Sequence, residues 1–141
     1  MKGSVYVSKA TEHWDIKALN ELCTKASIYN TAHGITGYLY YEETYFFQYI
    51  EGAESQIDTL YTKIQKDERH EILNTHSQSS MKRRRFPTWQ MPRIKESQLI
   101  AIGLDKVLLD FLIMFDGKIY PHTEKRENIL WSMIDRLSEL Q

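Results

Sequence analysis

The sequence has a single cysteine, Cys23, so it can form no internal disulfide and offers none of the paired-cysteine spacings that hold zinc. That absence is what a reducing compartment favours, and a cytoplasmic location is expected. There is no run of about 18 apolar residues, so no membrane span is expected. Nor do Met1 to Asp15 contain the apolar stretch of a secretory signal. Neither sign of charge dominates: 18 basic residues stand against 19 acidic ones. A dedicated nucleic-acid binder or a polybasic membrane-surface protein carries a clear excess of positive charge, so neither is expected. Only six glycines are present, too few to favour a phosphate-cradling loop, and the common nucleotide, zinc-protease and serine-hydrolase motifs are missing. The five histidines, His13, His33, His70, His76 and His122, are scattered without ligand spacing, so no metal site is expected.

The 141 residues are the size of one domain, with no repeat, low-complexity stretch or linker. Ser4 to Ser8 alternate as a strand, Val5 and Val7 to one side, Tyr6 and Ser8 to the other. Ile16, Leu19, Leu22, Cys23 and Ala26 form a helical stripe that fades near Asn30, ahead of Gly34. Gly34 to Tyr41 and Tyr45 to Glu51 read as a hairpin with a three-residue loop, Glu42-Glu43-Thr44. Ile57, Leu60, Tyr61 and Ile64 mark a second amphipathic helix, with Ser55 and Asp58 as its capping box. Ile72 to Ser77 and Thr88 to Ile94 read as two more strands.

This order predicts an α+β, ferredoxin-like βαββαββ fold: a five-stranded sheet with two helices on one face. Two additional C-terminal helices follow, one carrying Val107, Leu108, Phe111, Leu112 and Phe115, the other Leu130, Met133, Ile134 and Leu137. The hairpin strands are apolar on both sides, which calls for cover on both faces. The last two helices supply it, or else join copies of the chain or dock a partner. A homo-oligomer is expected. Residues 1–95 would form the core and 96–141 a helical extension of the same domain.

Three polar side chains fall where a core is expected. Tyr6 is mid-strand. Gln48 interrupts the aromatic run Phe46-Phe47-Gln48-Tyr49-Ile50, sharing the face of Phe46 and Ile50. Asn30 closes the first helix. Singly, each has an ordinary reading: packing for Tyr6, a satisfied core amide for Gln48, a helix cap for Asn30. Together they offer a phenol and two amides, and an amide's paired donor and acceptor match the acceptor–donor–acceptor edge of a flavin ring.

The same residues carry a resemblance. Val5-Tyr6-Val7-Ser8, Asn30 before Gly34-Ile35-Thr36-Gly37, Phe46-Phe47-Gln48 with Glu51-Gly52, Ile64 with Asp67, Arg69 and His70, and Phe86-Pro87-Thr88-Trp89-Gln90-Met91 resemble the BLUF domain, a blue-light sensor using FAD. The likeness runs closely over about residues 3–95 and more loosely through the C-terminal helices of the short, single-domain members. It implies that FAD, or FMN or riboflavin in its place, lies between the first two helices. Asn30 would bind the imide edge, Lys63 and Asp67 would lie four apart on the second helix near the pyrimidine end, and Arg69 and His70 would anchor the ribityl or phosphate side. Lys63 stands where many members carry Arg.

The resemblance further implies a switch and not an enzyme. Tyr6 passes an electron and a proton toward the excited flavin, they return, and Gln48 is left in a new hydrogen-bonding arrangement. Trp89 and Met91, of like parity on the last strand, would carry the change onward, one of them beside Gln48. No effector pattern follows residue 95, so the output is expected to reach a separate protein. The competing readings are an interaction module with a vestigial flavin pocket, a small ferredoxin-like enzyme, and nucleic-acid binding through Lys82-Arg83-Arg84-Arg85.

Overall fold

The computed structural model describes residues 1–116 and 123–141; His122 lies outside them. Five strands, β1 (Lys2–Ala10), β2 (Thr36–Glu42), β3 (Tyr45–Gly52), β4 (His70–Gln78) and β5 (Gln90–Ile94), form one sheet. Its order is β4-β1-β3-β2-β5. The first four strands are antiparallel neighbours in the ferredoxin-like arrangement, and β5 adds parallel to β2.

Side-chain alternation decides what each face meets. Val5, Val7, Phe47 and Tyr49 face one way and join one core cluster; Leu39, Phe46 and Ile50 face the other way and join a second. Helices α1 (Ile16–Ala32) and α2 (Glu54–Gln65) cover the second face through Leu19, Leu22, Ile57 and Leu60. The first face is covered by α4 (Asp105–Asp116) and α5 (Glu124–Leu137), which bring Leu108, Phe111, Leu112, Leu130 and Ile134 against the strands. The C-terminal helices therefore serve as the back cover of the sheet. Val107, placed on the apolar stripe from its spacing, is 37% exposed.

The differences from the sequence reading are local and have physical causes. The hairpin turn is two residues long, because Glu42 pairs with Tyr45 and Glu43 takes a positive φ of 58°. The second helix begins after Ala53, which makes no side-chain cap, so Ser55 and Asp58 form no capping box. The Asp58 carboxylate instead accepts from Lys2 Nζ at 2.7 Å. An extra short helix, α3 (Glu96–Ala101), precedes α4. It buries only Leu99, too little to leave a periodic signal. The last strand starts at Gln90 and not at Thr88, because residues 86–89 turn, with Trp89 N–H donating to the Phe86 carbonyl at 3.3 Å.

The basic run is not an open patch. Arg84 donates to the Gly34 carbonyl at 2.6 Å and to Thr36 Oγ1 at 3.0 Å. Arg85 ties Gln78 to Asp135 of α5, 2.6 Å from each. Two of its four cations are thus committed to the fold. Among the described residues no helix is long and apolar enough to cross a membrane, and no group of three His, Cys, Asp or Glu is placed to hold a metal.

Several tyrosines are packed with their hydroxyls inside. Burial, before any charge effect, pushes Tyr38 and Tyr49 far above the ordinary phenol range. A raised pKa means that the folded chain holds its proton where the unfolded chain has lost it. Stability from these groups is therefore complete below about pH 10 and falls as pH rises beyond it. In an alkaline titration their phenolate absorbance should appear together with loss of the circular-dichroism signal. Ionisation of all the tyrosines near pH 10 in a chain that stays folded would contradict the packing.

Candidate functional site

Between α1 and α2, on the face opposite the C-terminal helices, the two layers part to leave a cleft. It encloses about 710 Å³, mouth included. Its walls are the apolar stripes that form the helices: Leu22 and Ala26 from α1, Leu60 and Ile64 from α2, with Leu39 and Phe46 on the floor. Strand parity puts Tyr6 and Gln48 on this floor as direct neighbours, paired across β1 and β3. The Tyr6 hydroxyl donates to Gln48 Oε1. On its other side, Gln48 Nε2 donates to the Met91 sulfur at 3.1 Å. Asn30, at the last turn of α1, completes the polar set. It is only 2% exposed, and its Nδ2 has no partner among the described residues.

Three buried polar groups thus face an apolar cleft with hydrogen-bonding capacity unspent. An orphaned amide N–H₂ inside a protein costs about 1–3 kcal/mol, and such groups are uncommon in native structures. The Gln48 amide is little better off, because a thioether is a weak acceptor. Burial pushes the Tyr6 phenol far above its usual range, and the negative charge of Asp67 and then the neighbouring Tyr61 add to it. Tyr6 therefore keeps its proton at any ordinary pH.

The other expected residues divide. Asp67, Arg69 and His70 line the cleft, but Lys63 does not. Lys63 is exposed, its ammonium 4.4 Å above the Tyr29 ring. Asp67 lies past the end of α2, where its carboxylate takes Arg69 at 2.6 Å. That pairing, led by the Arg69 side-chain bond, pulls Asp67 down to about 2. Arg69 also sits 5.1 Å above the Trp14 ring, joining two loops that line the cleft. His70 has both ring nitrogens engaged: Nε2 faces the Ile64 carbonyl at 2.8 Å and Nδ1 faces Ser8 Oγ at 2.7 Å. It shapes the cleft beside Tyr6, with ring centroids 6.0 Å apart, and leaves no ring nitrogen for a phosphate.

Trp89 and Met91 do not share a face. Met91 lines the cleft, whereas Trp89 precedes β5, stacks on Phe86 and packs into the core on the far side. Parity failed because Met91 has a φ of 82° and the β2–β5 register shifts between Gly37 and Leu39. Trp14 and Tyr29 also line the cleft and were not picked out from the sequence. Trp14 sits in a loop with no periodicity to read, while Tyr29 had one signal, its place beside Asn30 on α1.

The fold and site define an α+β domain whose sheet and two helices enclose an apolar cleft, with Tyr6 and Gln48 on its floor and Asn30 at the end of α1. The chain belongs to the BLUF family, described as sensors of blue light using FAD, whose model matches residues 1–92. The BLUF domain is a sensor module, and flavin binding is its shared property. Over 100 residues the chain is 34% identical to a photoactivated adenylate cyclase subunit beta of Euglena gracilis, covering 70% of this chain and 11% of that protein. A bacterial light-regulated adenylyl cyclase superposes with a TM-score of 0.71 at 29% identity, over 84% of this chain and 35% of that one. BlsA in its photo-activated state superposes with a TM-score of 0.64 at 25% identity, over 96% and 95% of the two chains. The chain thus spans only about a tenth of the curated relative and a third of the cyclase chain.

Asn30→Ala should weaken binding of riboflavin, FMN and FAD alike, roughly 2- to 12-fold, the worth of one hydrogen bond. Quenching of flavin fluorescence on titration measures it; unchanged affinity would remove Asn30 from the ring-binding set.

Proposed function

We propose that the chain is a blue-light photoreceptor whose switch is the row Tyr6–Gln48–Met91. A flavin, when bound, supplies a blue-absorbing ring that on excitation withdraws an electron from a nearby phenol. The observation that carries the reading is the asymmetry of the Gln48 amide. Its oxygen is held by the Tyr6 hydroxyl, and its nitrogen, among the described residues, only by a thioether. The FAD, FMN and riboflavin ring is the same, and Asn30 and Gln48 address a ring edge, so any of the three suits the cleft.

Tyr6 cannot shed its proton alone, because burial and the charge of Asp67 both oppose a phenolate. It would give up the proton only as it is oxidised, with Gln48 Oε1 as the first acceptor, and would take back both electron and proton to close the cycle. Once that oxygen no longer accepts from Tyr6, nothing strong holds the amide in its dark arrangement. Turning it forfeits only the sulfur contact, since a thioether is a poor partner. Rotation and tautomerism of Gln48 both present a changed hydrogen-bonding face to the cleft and to Met91. Such a two-state element is what a signalling switch requires.

Asn30 orients the ring edge with its free Nδ2, and the Trp14–Arg69–Asp67 contact retains the ligand at the mouth. The output passes from β5 to a partner protein or to a second copy of the chain, in the cytoplasm.

Tyr6→Phe should retain flavin and lose the reversible red shift that follows a blue pulse. Gln48→Leu should do the same, since one amide contributes only about 0.5–1.5 kcal/mol to binding. Visible spectra before and after illumination decide it; a full, reversible shift in Tyr6→Phe would remove Tyr6 from the switch.

A further inference from the structure

Strand β3 buries two polar residues three positions apart and, by alternation, on opposite faces. Gln48 looks into the cleft. Glu51 looks the other way and is 0% exposed. Its carboxylate is fully subscribed. Oε1 accepts from the Tyr49 hydroxyl and from Arg85 N–H, both at 2.9 Å. Oε2 accepts from Phe86 N–H at 2.7 Å and from Thr36 Oγ1 at 3.1 Å. A carboxylate has about four lone-pair sites and no donor, so four donors satisfy it completely. The Arg85 guanidinium, 3.0 Å from the Tyr49 hydroxyl, brings positive charge to the cluster.

Two of those donors are backbone groups at the start of the segment that delivers Met91. From Phe86 the chain turns through Trp89, whose ring stacks on Phe86 at 5.5 Å and whose carbonyl accepts from Gly37 N–H at 2.9 Å. Gly37 is pressed so close to β3 that a Cβ there would lie 1.9 Å from the Tyr49 carbonyl oxygen. The segment ends at Met91, in a left-handed conformation with φ 82°, a state that a bulky residue holds only when its surroundings impose it. One strand, β3, therefore grips both ends of residues 86–91: Glu51 on the far face and Gln48 in the cleft.

We infer that Glu51 is a positioning residue for the light switch: by holding the Arg85 and Phe86 N–H groups it sets the path of residues 86–91 and keeps Met91 strained against Gln48. The inference rests on the reading of Gln48 as the switching group. Glu51→Gln supplies one acceptor oxygen where two stood and turns an amide N–H₂ toward two donors. The turn at 86–89 would then lift, and Met91 would relax away from Gln48.

The test uses the full flavin-loaded chain labelled at its five methionine methyl groups with carbon-13. The Met91 signal is assigned by its loss in Met91→Leu. In darkness Glu51→Gln should move or split that signal. After a blue pulse its dark recovery should change by roughly fivefold, the rate equivalent of about one hydrogen bond. Thr36→Val, which removes one donor to Glu51 together with the acceptor of one Arg84 bond, should do both to a smaller degree and still fold. Leu130→Ala is the control, destabilising the same far-side core without touching the cluster; it should lower Tm and leave the Met91 signal in place. A Met91 signal and recovery rate like wild type in both Glu51→Gln and Thr36→Val would overturn the inference, as would an equal displacement in Leu130→Ala. If wild type itself shows no reversible spectral shift, the switch reading fails, while the dark comparison still decides whether Glu51 positions Met91.

Discussion

An amide in the middle of an aromatic strand is the constraint on which this domain turns. Gln48 lies among Phe46, Phe47, Tyr49 and Ile50, and burial there is costly unless its hydrogen bonds are met. The sheet meets the oxygen with Tyr6, its direct partner across β1, and, among the described residues, meets the nitrogen only with a sulfur. A chain selected for stability alone would have an apolar residue here or a strong acceptor opposite. This uneven satisfaction is the feature on which the proposed switch rests.

That support is divided between the faces. On the cleft side the α1 and α2 stripes build apolar walls, so that the few polar atoms within act in a dry setting where each hydrogen bond counts for more. On the far side α4 and α5 pack the sheet against Phe47, Tyr49 and Trp131. There the buried Glu51 gathers the chain that leads to β5. The carboxyl end joins the same junction: Asp135 takes Arg85, and Gln141 takes the Arg85 carbonyl at 2.8 Å and Thr88 N–H at 3.1 Å. Named bonds therefore tie the start of the 86–91 segment to α5 and to Gln141 beyond it.

Much of this was legible beforehand because it follows from periods of 2 and 3.6. Alternation set Tyr6 opposite Val5 and Val7 and put Gln48 on the face of Phe46 and Ile50, and the stripes marked α1 and α2. That Tyr6 and Gln48 meet beside a cleft between those helices was implied only by the family resemblance. What escaped lay where those periods end. Trp89 and Met91 were expected to share a face, but the positive φ of Met91 and a register shift separate them, and neither leaves a mark in composition. Lys63 was placed near the ring by the resemblance alone; its side chain is exposed over Tyr29, and α2 ends at Gln65, before Asp67. Arg84 and Arg85 entered only as part of a basic run open to nucleic-acid binding; the fold gives them partners in Gly34, Thr36, Gln78 and Asp135 from distant segments. Glu51 was read only as part of a Glu-Gly pair, since its four donors come from β2, β3 and the 85–86 turn.

The most direct test of the account is a visible absorption spectrum of the wild-type chain loaded with FAD, recorded in darkness, after a blue pulse, and again through recovery. The account predicts a flavin spectrum that moves slightly to the red and returns without net reduction, because the change lies in the hydrogen bonds of Gln48. A flavin that bleaches and stays reduced, or one whose spectrum does not respond to blue light, would contradict it.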